Sequence, residues 1–130
     1  MNRTFYPSVS AGANRVYMEF ELLGAGAAPL TMSTDAKNVV ASITRSGVGI
    51  YVVTLKDAFN KVAFKSADMD DTANDGAYAT VSDVTNEGTA TPITFTIRTR
   101  TAGGAAAEAA ASRRIGVSLS LRNGTGWGES

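Results

Sequence analysis

Glu19 and Glu21 form the first pair in the chain whose types and spacing suit a reaction. Two residues apart on an extended strand, they stand about 7 Å from one another by strand rise, within the range that acid–base pairs use in glycoside hydrolysis. The same spacing is how acidic residues decorate the wet face of a strand. A second cluster, Asp68, Asp70, Asp71 and Asp75 followed by Gly76, is an oxygen-rich loop of the kind that takes calcium. Its order is not that of an EF-hand: Thr72 and Ala73 fall where a ligand and a turn are needed, and no Glu closes the loop. It reads as a solvated acidic loop. The stretches Gly24-Ala25-Gly26, Gly47-Val48-Gly49 and Gly103-Gly104 carry no Lys-Ser/Thr, so they read as turns and not as phosphate cradles.

Composition removes more chemistry. The 130 residues include no Cys and no His. The first absence excludes disulfides, thiolate metal sites and cysteine nucleophiles. The second excludes the commonest general acid/base, the commonest zinc ligand and the usual triads. No catalytic residue, metal site or cofactor is expected, and the chain reads as a non-enzyme. Twelve Lys+Arg balance twelve Asp+Glu, so the net charge is zero and a general nucleic-acid binder is not expected. The longest nearly apolar stretch, Leu22 to Leu30, is Gly/Ala-rich and far too short to span a membrane. No apolar run follows Met1–Pro7, so the chain is expected to be made and kept in a cytosol unless it leaves as part of a particle.

Charge is balanced in total but not along the chain. From Ser66 to Ile97 every formal charge is acidic, ending with Asp83 and Glu87. From Arg98 to Arg122 the charges are Arg98, Arg100, Arg113, Arg114 and Arg122 against Glu108 alone. Such arginines either line a solvated face or form forked pairs with carboxylates of another subunit. Aromatic residues are not interleaved with them, which argues against a platform for single-stranded nucleic acid. The candidate interface residues are therefore Arg98, Arg100, Arg113 and Arg114, with Phe5 and Tyr6 near the N-terminus and Trp127 near the C-terminus.

Strands must position these groups, because period-two alternation dominates the chain. Val16, Met18, Phe20 and Leu22 alternate with Tyr17, Glu19 and Glu21. Thr31 to Thr34 reads as a short edge strand. Val39–Arg45 and Ile50–Lys56 read as a hairpin across Ser46-Gly47-Val48-Gly49. Both faces of the second arm are apolar, which places it centrally in a sheet or against another subunit. Asp57–Asn60 reads as a turn with one buried aromatic, and Lys61–Ala67 as a strand with Val62 and Phe64 on one face. Ala77–Thr85 alternates, with Ala79, Val81 and Asp83 together. Ile93, Phe95 and Ile97 share one face of the next strand, and Ile115, Val117, Leu119 and Leu121 share one face of the last. The expected fold is a single all-β domain over residues 1–130, an antiparallel β-sandwich or jelly-roll-like barrel of about seven or eight short strands. Residues 1–14 read as an extended arm and 123–130 as a Gly-rich tail. The Ala-rich stretch Thr101–Ser112 is too short for a stable isolated helix. It reads either as a flexible link or as a loop of small residues that orders against a neighbouring subunit.

Two stretches resemble a family of small virion structural proteins of tailed bacteriophages, of the head decoration or cement type. Residues 40–57, VASITRSGVGIYVVTLKD, resemble the family's hairpin: a strand ending in Thr-Arg, a Gly-x-Gly turn, then a Tyr-x-Val-Thr-Leu strand. Residues 93–123 are similar to its C-terminal half, with a Thr-Phe-Thr-Ile strand, a small-residue loop and a closing strand ending in Leu119-Ser120-Leu121-Arg122-Asn123. The resemblance implies a protein of the capsid surface, made in the bacterial host cytoplasm. It would bind and stabilise the assembled lattice of the major capsid protein and associate with itself, most often as a trimer. No catalytic residues carry over. A neck, tail or fibre-base protein is the alternative within virions. A carbohydrate-binding β-sandwich is the alternative outside them, and such modules present several exposed aromatics on one face.

Overall fold

Met18, Phe20 and Leu22 point to one side of a strand, and Ile115, Val117, Leu119 and Leu121 do so from its neighbour, all of them buried. That shared inner face is half of the core. The computed structural model describes residues 9–11, 15–70 and 74–122. In chain order the strands are β1 (Val9–Ala11), β2 (Arg15–Leu23), β3 (Thr31–Met32), β4 (Val40–Gly47), β5 (Ile50–Leu55), β6 (Lys61–Met69), β7 (Tyr78–Thr85), β8 (Thr94–Arg100) and β9 (Arg114–Arg122). A 3-10 turn at Ala36–Asn38 precedes β4. One sheet runs β1-β2-β9-β6, with β3 paired to the far end of β2; the other runs β4-β5-β8-β7. Every named strand pair is antiparallel and lies within one sheet, so the chain is an all-β sandwich.

The second sheet contributes Tyr51, Val53 and Leu55 from β5 and Phe95 and Ile97 from β8, all fully buried. Strand β5 lies between β4 and β8, as its two apolar faces imply. The hairpin turn is tighter than the four residues read from sequence: only Val48 and Gly49 lie outside the strands. Gly49 has φ +65°, and a Cβ there would lie 2.5 Å from the Ala107 carbonyl oxygen. Both the backbone and the neighbouring chain therefore require glycine. Phe59 is the buried aromatic of the Asp57–Asn60 turn.

Two bulges overturn strict alternation. Val62 lies opposite Leu121 but Phe64 lies opposite Ser120, with Ala63 the extra residue between them. Val62 is buried while Phe64 is 64% exposed, so the two do not share a face. A second register shift falls between Ser82 and Thr85, where Asp83 takes φ +54°. Asp83 leaves the inner face of Ala79 and Val81 and meets Arg98 instead. Within the expected arm, residues 9–11 pair with β2 of their own sheet. Phe5, Tyr6 and Trp127 lie outside the described residues.

Candidate functional site

The stretch from Thr101 to Ser112 crosses from one sheet to the other as a strap over the end of the sandwich. Its backbone is bonded on both sides. The Ala107 N–H donates to the Thr99 carbonyl at 3.1 Å, and the Thr99 hydroxyl donates to the Ala107 carbonyl at 2.5 Å. On the other side, the Gly26 N–H donates to the Ala109 carbonyl at 2.9 Å and the Ser112 N–H to the Gly24 carbonyl at 2.8 Å. A Cβ on Gly24 would collide with the Ala110 carbonyl. The strap is thus held on both sides by bonds within its own chain and is not a free link. Small side chains allow the close backbone approach that makes these bonds possible.

Glu108 anchors the strap. One carboxylate oxygen accepts from Arg45 Nε at 3.2 Å, from the Gly49 N–H at 3.1 Å and from the Tyr51 hydroxyl at 3.3 Å. The other oxygen pairs with the Arg45 guanidinium. The Tyr51 hydroxyl accepts from the Ala109 N–H at 3.0 Å. Hydrogen bonding from Arg45, then from the Gly49 backbone, holds the Glu108 carboxyl below its ordinary pKa against partial desolvation. The same pair raises Arg45 above its ordinary value. Sequence reasoning did not single out Arg45 or Tyr51. The available signal was that Glu108 is the one charged residue in an otherwise small, neutral stretch.

Three of the four arginines expected at an interface, Arg98, Arg113 and Arg114, find carboxylates within the chain. Arg113 forks onto Asp75 at 2.9 and 2.8 Å, and its Nε donates to the Asp70 carbonyl at 2.8 Å. Arg114 lies 3.5 Å from the Asp70 carboxylate. Arg98 pairs with Asp83 at 2.8 Å and donates to the Ser82 hydroxyl at 2.6 Å. The acidic and basic segments that the sequence separates thus neutralise one another across the fold. Among the described residues, no three acidic side chains converge in a way that would hold a metal ion. Glu19 and Glu21 share the outer face of β2, where Glu19 accepts from the Tyr17 hydroxyl at 3.4 Å.

Arg98 and Arg100 stand on the outer face of β8. In register, Arg100 lies beside Tyr78 and Arg98 beside Thr80. Arg100 donates to the Gly104 carbonyl at 3.2 Å, and Tyr78 is 39% exposed. Neighbouring outward positions on this sheet carry Ile50, in register beside Arg98, and Val52, together with Thr44, Ser82 and Thr94, so the arginines and tyrosine rise from a surface of mixed aliphatic and hydroxyl groups. Elsewhere an open hollow of about 490 Å³ lies between β2 and the 57–59 turn, with Asp57 as its one carboxylate among Val16, Met18, Asn38, Val39, Ala58 and Phe59. No family model matches the chain, and neither does any curated protein or solved structure.

Proposed function

We propose that the chain is a non-enzymatic virion structural protein that binds the assembled capsid lattice of a tailed bacteriophage as a decoration or cement protein. The resemblance of residues 40–57 and 93–123 supports the particle, and one structural observation supports the contact. Tyr78, Arg98 and Arg100 stand together on the outer face of the β4-β5-β8-β7 sheet. Tyrosine and arginine are the residue types most enriched where protein surfaces bind. Both arginines are already held, one by Asp83 and Ser82 and the other by the Gly104 carbonyl. Docking therefore costs little further side-chain ordering. The strap adds to this by fixing the end of the sandwich, so the face is presented by one rigid body.

The test is retention on particles. Purified chain is mixed with assembled heads that lack it, and separately with unassembled coat subunits. It is expected to sediment with the heads alone. Tyr78→Ala with Arg100→Ala is expected to weaken retention at least about tenfold, the scale of an interface hot spot, with thermal stability nearly unchanged. Undiminished retention would remove this face from the contact. No binding to heads would sink the decoration reading.

A further inference from the structure

We propose that the outer face of β2, β9 and β6 is a self-complementary surface on which a second copy of this chain docks across a two-fold axis. The ladder registers set outward residues of the three strands into rows. At one end Arg15, Arg122 and Lys61 lie side by side. At the other end Glu21 and Asp68 flank Gly116. Between them, Tyr17 and Phe64 flank Ser120, and the next row is built on Ser118 with Glu19 and Ser66. The face therefore runs from cationic to acidic along the strands, with two aromatics rising from small neighbours. Phe64 is 64% and Tyr17 43% exposed, and Phe64 is on this face only because of the bulge at Ala63.

Charge complementarity selects both the occupant and the axis. A two-fold axis along the strands would set cations on cations. An axis lying along the rows, between the Ser120 and Ser118 rows, reverses the strand direction of the second copy. Arg15 then faces Glu21 of the second copy and Lys61 faces its Asp68, and each contact occurs twice. The same operation lays Phe64 over Ser66 of the second copy and sets Arg122 opposite the gap at its Gly116. Sheets packed face to face keep their strands within about 30° of alignment, an offset that long Arg, Lys and Glu side chains span. Among the described residues, ion pairs join Arg45 to Glu108, Arg98 to Asp83, Arg113 to Asp75 and Arg114 to Asp70. Arg15, Lys61, Glu21 and Asp68 enter none of these. A three-fold ring joins two different patches and would leave this match unused. The inference does not depend on the capsid reading, because it concerns the opposite face.

Sedimentation of the full chain at low ionic strength tests it. The wild type is expected to run as a dimer that salt dissociates. Arg15→Glu and Glu21→Arg, each alone, set like charges opposite one another and are expected to raise the dissociation constant at least about tenfold. An equimolar mixture of these two variants sets opposite charges at both ends and is expected to restore the dimer, as is the double variant with itself. Thermal stability of each variant, measured alongside, is expected to stay near wild type, since the positions are at the surface. A monomeric wild type, an oligomer indifferent to Arg15→Glu, or a mixture that fails to re-form the dimer would overturn the proposal. So would a monomer that binds an oligosaccharide array through Phe64.

Discussion

The Tyr51 hydroxyl meets the Glu108 carboxylate at 3.3 Å although 57 positions separate them in the chain. The same hydroxyl accepts the Ala109 N–H, so one phenol ties the start of β5 to the strap. Tyr51→Phe keeps the ring in the core and removes both bonds. Leaving a buried N–H without its acceptor costs about 1–3 kcal/mol, and denaturant unfolding is expected to show a loss of that size. A change below about 0.3 kcal/mol would mean that the strap holds without this bond.

The Glu108 clamp has a direction in pH. Its carboxyl is held below the ordinary value, so its stabilising contribution is fully present above the ordinary carboxylate pKa. That contribution is lost as pH falls through the lowered, folded-state value. The protection of the Ala107 and Ala109 amides, measured relative to their intrinsic exchange rates, is expected to fall over that acid range in the wild type. In Glu108→Gln the protection of the two amides is expected to be low at every pH, without the transition. Identical pH profiles in the two proteins would assign the strap's order to its backbone bonds alone.

Glycines at the strap separate space from conformation. Gly49 has positive φ and a neighbour at 2.5 Å, whereas Gly26 has φ +68° with nothing within 4 Å of a would-be Cβ. Gly26→Ala is expected to cost about 1 kcal/mol, the left-handed penalty alone. Gly49→Ala adds a collision with backbone and is expected to cost at least about 2–3 kcal/mol. Equal thermal shifts would show that the strap yields freely at Gly49.

Leu119 and Phe64 make a matched contrast on neighbouring strands. Leu119 is fully buried, and Leu119→Ala is expected to cost about 2–5 kcal/mol. Phe64 is mostly exposed, and Phe64→Ser is expected to change the stability of the isolated chain by no more than about 0.5 kcal/mol. A large loss at Phe64 in dilute, monomeric protein would place the ring in the core.

Most of the fold was legible because alternation reports burial directly. The inner faces of β2, β5, β8 and β9 are the apolar sets that period two picks out. Phe64 and Asp83 were misread for one reason: a single bulge residue inverts every face beyond it, and nothing in composition marks Ala63 or Asp83 as extra. The strap was misread because its order comes from contacts far apart in sequence, to Gly24, Gly49 and Tyr51, that no local pattern encodes. The arginine pairings were half visible. The acidic and basic segments stood out, but only the fold shows that Arg113 meets Asp75 and Arg98 meets Asp83. The rows on the outer face of β2, β9 and β6 required register, which sequence alone does not fix.

The central claim is that many copies of this chain sit on an assembled capsid. The most direct measurement is its copy number on purified tailed-phage particles, quantified against the major capsid protein. The account predicts a ratio near one or another simple fraction set by the lattice. A dozen copies or fewer would move the chain to a neck or tail, and its absence from particles would contradict the account.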